Sequence, residues 1–328
     1  MIPEKIKKTL KKQHYKIVGK HSAIQICRWT KNSLRDEGVC FKEQFYGIKS
    51  HLCCQMTPAV MWCPNRCIHC WRATELTIGS EIKGKTDSPK EIVDGCIQAQ
   101  KKLLEGFKIL PKTKHKTVSK VNMKKWEEAQ EPMHFSISLS GEPTIYPQIG
   151  KLIQEIRKRG KTSFLVTNGL YPEKIKELAD KKQLPTQLTV SVNSPNEKMY
   201  LEFHRSSMRN AWKKLNETLD ILSELNSRTV VRMNLVKNLN IEDKHVKEYA
   251  ELIKKANPKF VHVKGYMSVG SARGRLGYER MPSHNEIKDF AKRLAKEANL
   301  KVLDEHERSC VCVLGKNKSD MKIKKSEI

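Results

Sequence analysis

The stretch Trp62-Cys63-Pro64-Asn65-Arg66-Cys67-Ile68-His69-Cys70-Trp71 puts three thiols at C-x3-C-x2-C spacing on one short segment. Three thiolates can hold an iron–sulfur cube and leave its fourth iron open, whereas a purely electron-carrying cluster normally ties all four irons to cysteine. The spacing therefore points to chemistry at the metal. Structural zinc is the competing reading, but it closes its shell with four ligands, commonly two C-x2-C pairs or one pair with two histidines. His69 is the nearest fourth ligand; it directly precedes Cys70, and no second C-x2-C pair follows.

Composition bounds the partner. Lys and Arg number 63 against 36 Asp and Glu, a formal net charge of +27 in 328 residues. An excess spread along the whole chain favours a polyanion, whose phosphates it can neutralise. A heat-adapted surface would raise glutamate along with lysine; here the acids lag. No run of about 18 apolar residues occurs, so no membrane span is expected. Residues 1–20 are lysine-rich and lack the apolar centre of a secretory signal. A cytoplasmic location is expected, where ten cysteines read as metal ligands or buried thiols rather than a disulfide framework.

The length suits two ordinary domains or one large α/β barrel. Residues 1–15 read as a short basic helix and 17–45 as irregular. A run over 57–62 reads as a strand that delivers Cys63 at its carboxyl end. A helix over 88–107 carries Ser88 as cap, Pro89 in the first turn and Glu91 three residues on. Residues 108–130, with Lys112, Lys114, His115, Lys116, Lys120, Lys124 and Lys125, read as an exposed insertion. Strands are then expected over 134–139, 162–166, 187–192, 230–235 and 260–263. They alternate with helices over 146–159, 173–181, 197–225 (broken near Ser206), 242–256 and 283–298. With the strand before Cys63 this makes six βα units and implies parallel βαβ connections. An incomplete (β/α)6 barrel and a flat doubly wound sheet share this pattern, and both collect ligands at the carboxyl ends of strands.

The strand ends carry the informative residues. Ser140-Gly141-Glu142-Pro143-Thr144 closes the second strand: Gly141 permits close backbone approach and Glu142 offers an acceptor. Thr167-Asn168-Gly169 ends the third and Ser191-Val192-Asn193-Ser194-Pro195 the fourth, each with short hydrogen-bonding side chains that also suit ordinary turns. Arg232 lies on the fifth strand, where it can pair with a carboxylate or bridge to a neighbouring strand. The run Val263-Lys264-Gly265-Tyr266-Met267-Ser268-Val269-Gly270 follows the sixth, and Arg273 and Arg275 beyond it suit phosphate or base contacts. His204, at the break in the long helix, reads as an acid–base group or as a capping residue. Cys54, Cys96, Cys310 and Cys312 belong to neither triad; Cys96 reads as core, and a metal role for the Cys310–Cys312 pair stays open. From Asp320 the polar tail has no expected structure.

The cysteine loop, with an aromatic slot at His69 or Trp71, resembles the signature of radical S-adenosylmethionine (SAM) enzymes. In that superfamily SAM chelates the open iron, and one-electron reduction yields a 5′-deoxyadenosyl radical. The resemblance implies a TIM-like incomplete barrel with an N-terminal cysteine-bearing extension. It also implies SAM contacts at Gly141, Glu142, Thr167, Asn168, Ser191, Asn193, Arg232 and Met267. Ser140 stands where the superfamily's first motif glycine would be.

Cys27, Cys40 and Cys53, at equal intervals, extend the resemblance to the archaeal-type tRNA 4-demethylwyosine synthases beyond residue 17. By spacing alone these thiols could equally be buried cysteines or an incomplete zinc site. The family resemblance implies that they bind a second [4Fe–4S] cluster, where pyruvate coordinates, with Lys42 forming a Schiff base. It further implies N1-methylguanosine of tRNA-Phe as substrate. Nearby positive charge would lower the Lys42 amine's pKa. Eukaryotic relatives add a flavodoxin-like domain, so an external one-electron reductant protein is expected here, and a monomer. The expected layout is a second-cluster segment over 1–55, a radical SAM domain over 56–305 and an extension over 306–328. A methylthiotransferase- or methyltransferase-type radical SAM enzyme, and a zinc-bearing RNA-binding protein without catalysis, are the other readings.

Overall fold

The structure, a computed structural model, describes residues 1–108 and 121–328. Lys112, Lys114, His115, Lys116 and Lys120 of the expected insertion lie outside the described residues. Tertiary contacts divide the chain into two compact units: Met1–Val60, Ile82–Phe164 and Lys322–Ile328 form one, and Met61–Glu81 with Leu165–Met321 form the other.

The first unit opens with the basic helix α1 (Glu4–Lys12), which buries Leu10. The segment read as irregular is ordered. Strands β1 (Lys16–Val18) and β2 (Ser22–Gln25) make an antiparallel hairpin, followed by helices α2 (Arg28–Leu34) and α3 (Phe41–Tyr46). Strand β3 covers Cys53–Thr57, earlier than expected, and pairs antiparallel with β2. Pro58 has no amide hydrogen to continue the ladder, so the apolar run beyond it turns instead of extending. Helix α4 (Pro89–Lys108) begins at the expected cap, with Ser88 Oγ accepting the Glu91 amide and Glu91 accepting the Ser88 amide at 2.7 Å. Helix α5 (Met123–Glu128) gives the far end of the expected insertion a packed role. Lys125 pairs with Asp36 at 2.6 Å, and Trp126 packs against the buried Ile26, Leu34 and Leu104. Strand β4 (His134–Ile137) lies parallel to β3, and α6 (Ile149–Lys158) follows.

Strand β5 (Thr162–Thr167) contains the boundary between the units. In the second unit α7 (Pro172–Asp180) precedes β6 (Gln187–Ser191); the long expected helix is two, α8 (Glu197–His204) and α9 (Ala211–Glu224), with the break at the anticipated place. Strands β7 (Thr229–Leu235) and β8 (Phe260–Gly265), separated by α10 (Val246–Ala256), continue a parallel β6-β7-β8 ladder. Their buried Val, Leu and Phe runs are the composition of strands covered on both faces. After α11 (Ala272–Leu276) and α12 (His284–Glu297), two unforeseen strands close the unit. Strand β10 (Val311–Gly315) lies antiparallel between β8 and β9 (Lys301–His306). Gly169, at φ +74°, turns the chain after β5; a Cβ there would stand 2.9 Å from Leu215 and 3.0 Å from Val190.

The tail is ordered too, in short 3-10 turns at Lys318–Asp320 and Lys325–Glu327. In the second unit the buried Arg228 guanidinium donates to the carbonyls of Asp320 and Met321 at 2.9 and 3.0 Å. In the first, Ile323 donates its amide to the Tyr46 carbonyl and Lys322 its ammonium to Gln44.

His134 gives this core a pH dependence. Its Nε2 accepts the Lys49 amide at 3.2 Å, and its Nδ1 lies 2.7 Å from Thr162 Oγ1. Burial first, then the charges of Lys42 and His51, pull its pKa down to about 4. The unfolded chain, near 6.5, binds more protons between those values, so stability rises with pH across the window and is lost on acidification. His134→Gln should flatten the stability slope between pH 4.5 and 6.5 by up to about 1.4 kcal/mol per pH unit. Urea midpoints measured across that range on both proteins check it.

Candidate functional site

In the second unit the cysteine loop has no regular structure, yet its peptide groups are held on several sides. Cys63 donates its amide to Gly79 at 2.8 Å. The last carbonyls of α8 take two more: Arg66 N–H bonds to His204 and Ile68 N–H to Phe203, at 2.9 and 3.0 Å. The loop's carbonyls converge on Arg275, expected to meet phosphates but engaged here. Its Nε donates to Ile68 at 3.1 Å, one terminal nitrogen to both Cys70 and Arg72, and the other to Glu75 at 3.0 Å.

Cys63, Cys67 and Cys70 are partly exposed. Burial and the neighbouring thiols push Cys67 well up; burial raises Cys70, with Arg275 and Arg232 opposing. His69 has other work than a fourth metal ligand. Its Nε2 is 3.4 Å from Asn193 Nδ2, and its ring stacks on Phe203 at 4.7 Å. His204 Nδ1 stands 3.1 Å from Cys67 Sγ, and burial pulls that imidazole's pKa down to about 3, keeping it neutral.

The strand ends divide into turn-makers and groups with spare capacity. Thr167 Oγ1 accepts the Gly169 amide and Asn168 Oδ1 the Leu170 amide, while Asn168 Nδ2 points 3.9 Å from Cys63 Sγ. Asn193 Oδ1 accepts the Asn234 amide at 3.0 Å. Ser191, partly exposed, pairs in register with Arg232. Met267 is also partly exposed. Arg232 Nε, Ser194 Oγ and Ser268 Oγ are buried without a partner among the described residues. They lie on β7 and just past the ends of β6 and β8. Buried donors without a protein partner are free to bond a polar ligand. Asn65, inside the loop, is orphaned at both side-chain atoms. Ser194, Ser268 and Asn65 stood inside the quoted motifs, but only burial separates them from ordinary turn residues. Three thiols with these orphans fit an open-iron cluster and a polar cofactor better than a closed zinc tetrahedron.

The first unit carries the other triad. Cys27 and Cys40 precede α2 and α3, and Cys53 opens β3. Burial pushes Cys40 and Cys53 up to about 12, and the Lys42 charge opposes this at both. Lys42 Nζ donates to Ser136 Oγ at 2.9 Å and lies 4.7 Å from the Phe164 ring centre. Structure thus brings the predicted lysine and thiols together, and adds Ser136. In the same unit Gly141 takes φ +71°, and the buried Glu142 accepts the Thr144 amide and hydroxyl through Oε1.

Among the described residues, His284, Glu305 and Cys312 bring ligand atoms within 4.8 Å of one another. Glu305 already takes Lys288 at 2.7 Å and His284 at 3.3 Å, so this group reads as a neutralised ion-pair cluster. Cys310 turns aside at φ 49°, its Sγ 3.7 Å from the Pro282 carbonyl.

Arg275→Ala should free the loop without emptying the core. Hydrogen exchange read by mass spectrometry should show the Arg66, Ile68 and Cys70 amides exchanging at least about tenfold faster, with α12 unchanged, because each lost bond frees roughly 1–3 kcal/mol of restraint.

Residues 58–253 match the radical SAM superfamily and residues 255–316 match wyosine base formation. The chain is 43% identical over 320 residues to the S-adenosyl-L-methionine-dependent tRNA 4-demethylwyosine synthase of Pyrococcus abyssi, covering 97% of this chain and 91% of that one. Identity to the protein of the same name in Oryza sativa is 38%, over 96% of this chain and 47% of the rice protein. A solved structure of TYW1 with a lysine–pyruvate adduct bound superposes with a TM-score of 0.84 at 34% identity, covering 99% of both chains. The expected radical SAM fold, an α/β incomplete barrel, agrees with these matches. The chain belongs to the radical SAM family of S-adenosyl-L-methionine-dependent tRNA 4-demethylwyosine synthases.

Proposed function

We propose that this enzyme converts N1-methylguanosine beside the anticodon of tRNA-Phe into 4-demethylwyosine, with pyruvate as the two-carbon donor. The observation that carries the pyruvate reading is Lys42, seated on Ser136 and Phe164 with its charge acting on Cys40 and Cys53. The lysine–pyruvate adduct bound in the solved TYW1 structure supports it. Cys27, Cys40 and Cys53 hold one [4Fe–4S] cluster in this reading; Cys63, Cys67 and Cys70 hold the other. When bound and reduced, the latter supplies the electron that splits SAM to the 5′-deoxyadenosyl radical.

The chain's residues orient the reactants. In the second unit Arg232 offers its orphaned Nε to the SAM carboxylate, and Thr167, Asn168, Ser191, Asn193 and Met267 are the further proposed contacts to SAM. Lys42 must be neutral to attack the pyruvate carbonyl. Ser136 Oγ accepts its hydrogen bond, and the Phe164 ring lies 4.7 Å away, so the amine is held in one place. Attack at the keto carbon forms a carbinolamine, and loss of water gives the imine. The +27 charge supports the tRNA backbone as the bound polyanion. The base must leave its stack to reach chemistry at strand ends. An external one-electron reductant, a monomeric state and a cytoplasmic location complete the proposal; no helix among the described residues is long and apolar enough to cross a membrane.

Anaerobic reconstitution should load about eight irons per wild-type chain and about four in a Cys27→Ala, Cys40→Ala, Cys53→Ala variant. About four in both would remove the second cluster. Borohydride trapping with pyruvate should add a covalent mass to wild type and none to Lys42→Arg, whose guanidinium stays protonated; an equal mass on both would exclude Lys42.

A further inference from the structure

His204 takes no part in the reaction outlined above, yet it touches the catalytic loop more closely than any expected cofactor contact. Its ring is 3% exposed and stacks on Tyr200 with centroids 4.3 Å apart. Its Nδ1 is 3.1 Å from the sulfur of Cys67, and its Nε2 is buried without a partner among the described residues. A neutral imidazole has one donor and one acceptor nitrogen, and a metal-bound thiolate can only accept. A hydrogen bond to Cys67 therefore requires the Nδ1–H tautomer, with the lone pair on Nε2.

Backbone geometry keeps this contact in register. The Phe203 and His204 carbonyls take the amides of Ile68 and Arg66, which flank Cys67. Arg205 then ends α8 in the left-handed region at φ 46°. One helix end thus grips the loop by its main chain and aims one imidazole nitrogen, Nδ1, at its middle sulfur.

We propose that His204 is a positioning residue that tunes the iron–sulfur site, its Nδ1–H donating to the Cys67 sulfur and favouring the reduced state of the cluster. The inference rests on the assignment of Cys63, Cys67 and Cys70 as cluster ligands. Reduction adds negative charge that spreads onto the ligand sulfurs, so a donor already aimed at one of them binds the reduced form more strongly. Hydrogen bonds to cluster sulfurs and partners beyond the ligands are among the means by which proteins set such potentials. The electron itself comes from the external one-electron reductant.

Two replacements separate donor from ring. His204→Phe keeps a flat ring for Tyr200 and removes the N–H. His204→Asn loses the ring but carries an amide nitrogen where Nδ1 stood. The measurement is a redox titration of the reconstituted protein by electron paramagnetic resonance, following the signal that SAM perturbs. The Phe variant should be harder to reduce by on the order of tenfold in the equilibrium constant, about 59 mV for one electron. Asn should stay near wild type, and His204→Leu should shift the same way as Phe. A Phe or Leu variant with full iron content and an unchanged potential overturns the proposal; so does an Asn variant that shifts as far as Phe, because packing would then be the cause. Failure of the underlying assignment has its own signature: a Cys63→Ala, Cys67→Ala, Cys70→Ala protein that keeps all its iron.

Discussion

The loop that carries Cys63, Cys67 and Cys70 is neither helix nor strand, and its peptide groups must still find partners. Each buried carbonyl left without one costs on the order of 1–3 kcal/mol. Arg275 meets most of that demand: one planar guanidinium takes the carbonyls of Ile68, Cys70 and Arg72 and the carboxylate of Glu75. The fork geometry matters, because a lysine ammonium in the same place could not reach this spread of acceptors from one fixed plane. The end of α8 serves the amides in the same way. Two elements that carry no cysteine thus determine where the thiols stand.

The other triad is built by a different device. Cys40 donates its amide to Ser50 Oγ at 2.9 Å and accepts the Glu43 amide, so the residue is fixed at the start of α3 before any ligand arrives. Lys42 sits two residues on, within the first turn of that helix. Positioning Cys40 therefore positions the amine as well. Ser136 and Phe164 receive it from β4 and from the start of β5.

The βα alternation, the cysteine spacings and the strand-end motifs were readable because each is local: a period, a spacing or a turn residue. The break in the long helix was equally plain, and so was the Ser88–Glu91 cap. What escaped depends on distant partners. The β1–β2 hairpin is short, with lysines and polar residues interleaved, and β2 finds its second partner, β3, some thirty residues further on. Strands β9 and β10 follow the last expected helix and pair antiparallel, outside the repeating pattern. Arg275 looked like a nucleic-acid contact since nothing local tells an arginine that binds carbonyls from one that binds phosphates. For the same reason Thr167 and Asn168 could be named, but not their use of side-chain oxygens to shape the turn before Gly169.

The compact units interleave along the chain, and this bears on how the protein is made. The first unit includes Lys322–Ile328, and those residues hold the Gln44 and Tyr46 carbonyls at the end of the helix that bears Lys42. Synthesis proceeds from the amino end, and domains ordinarily fold as they emerge. Here the unit that begins first is finished last: its closing segment leaves the ribosome only after the whole second unit has been translated. Until then the end of the helix that bears Lys42 lacks the partners that Lys322 and Ile323 give the Gln44 and Tyr46 carbonyls, so that helix is finished only once residues 322–328 have emerged.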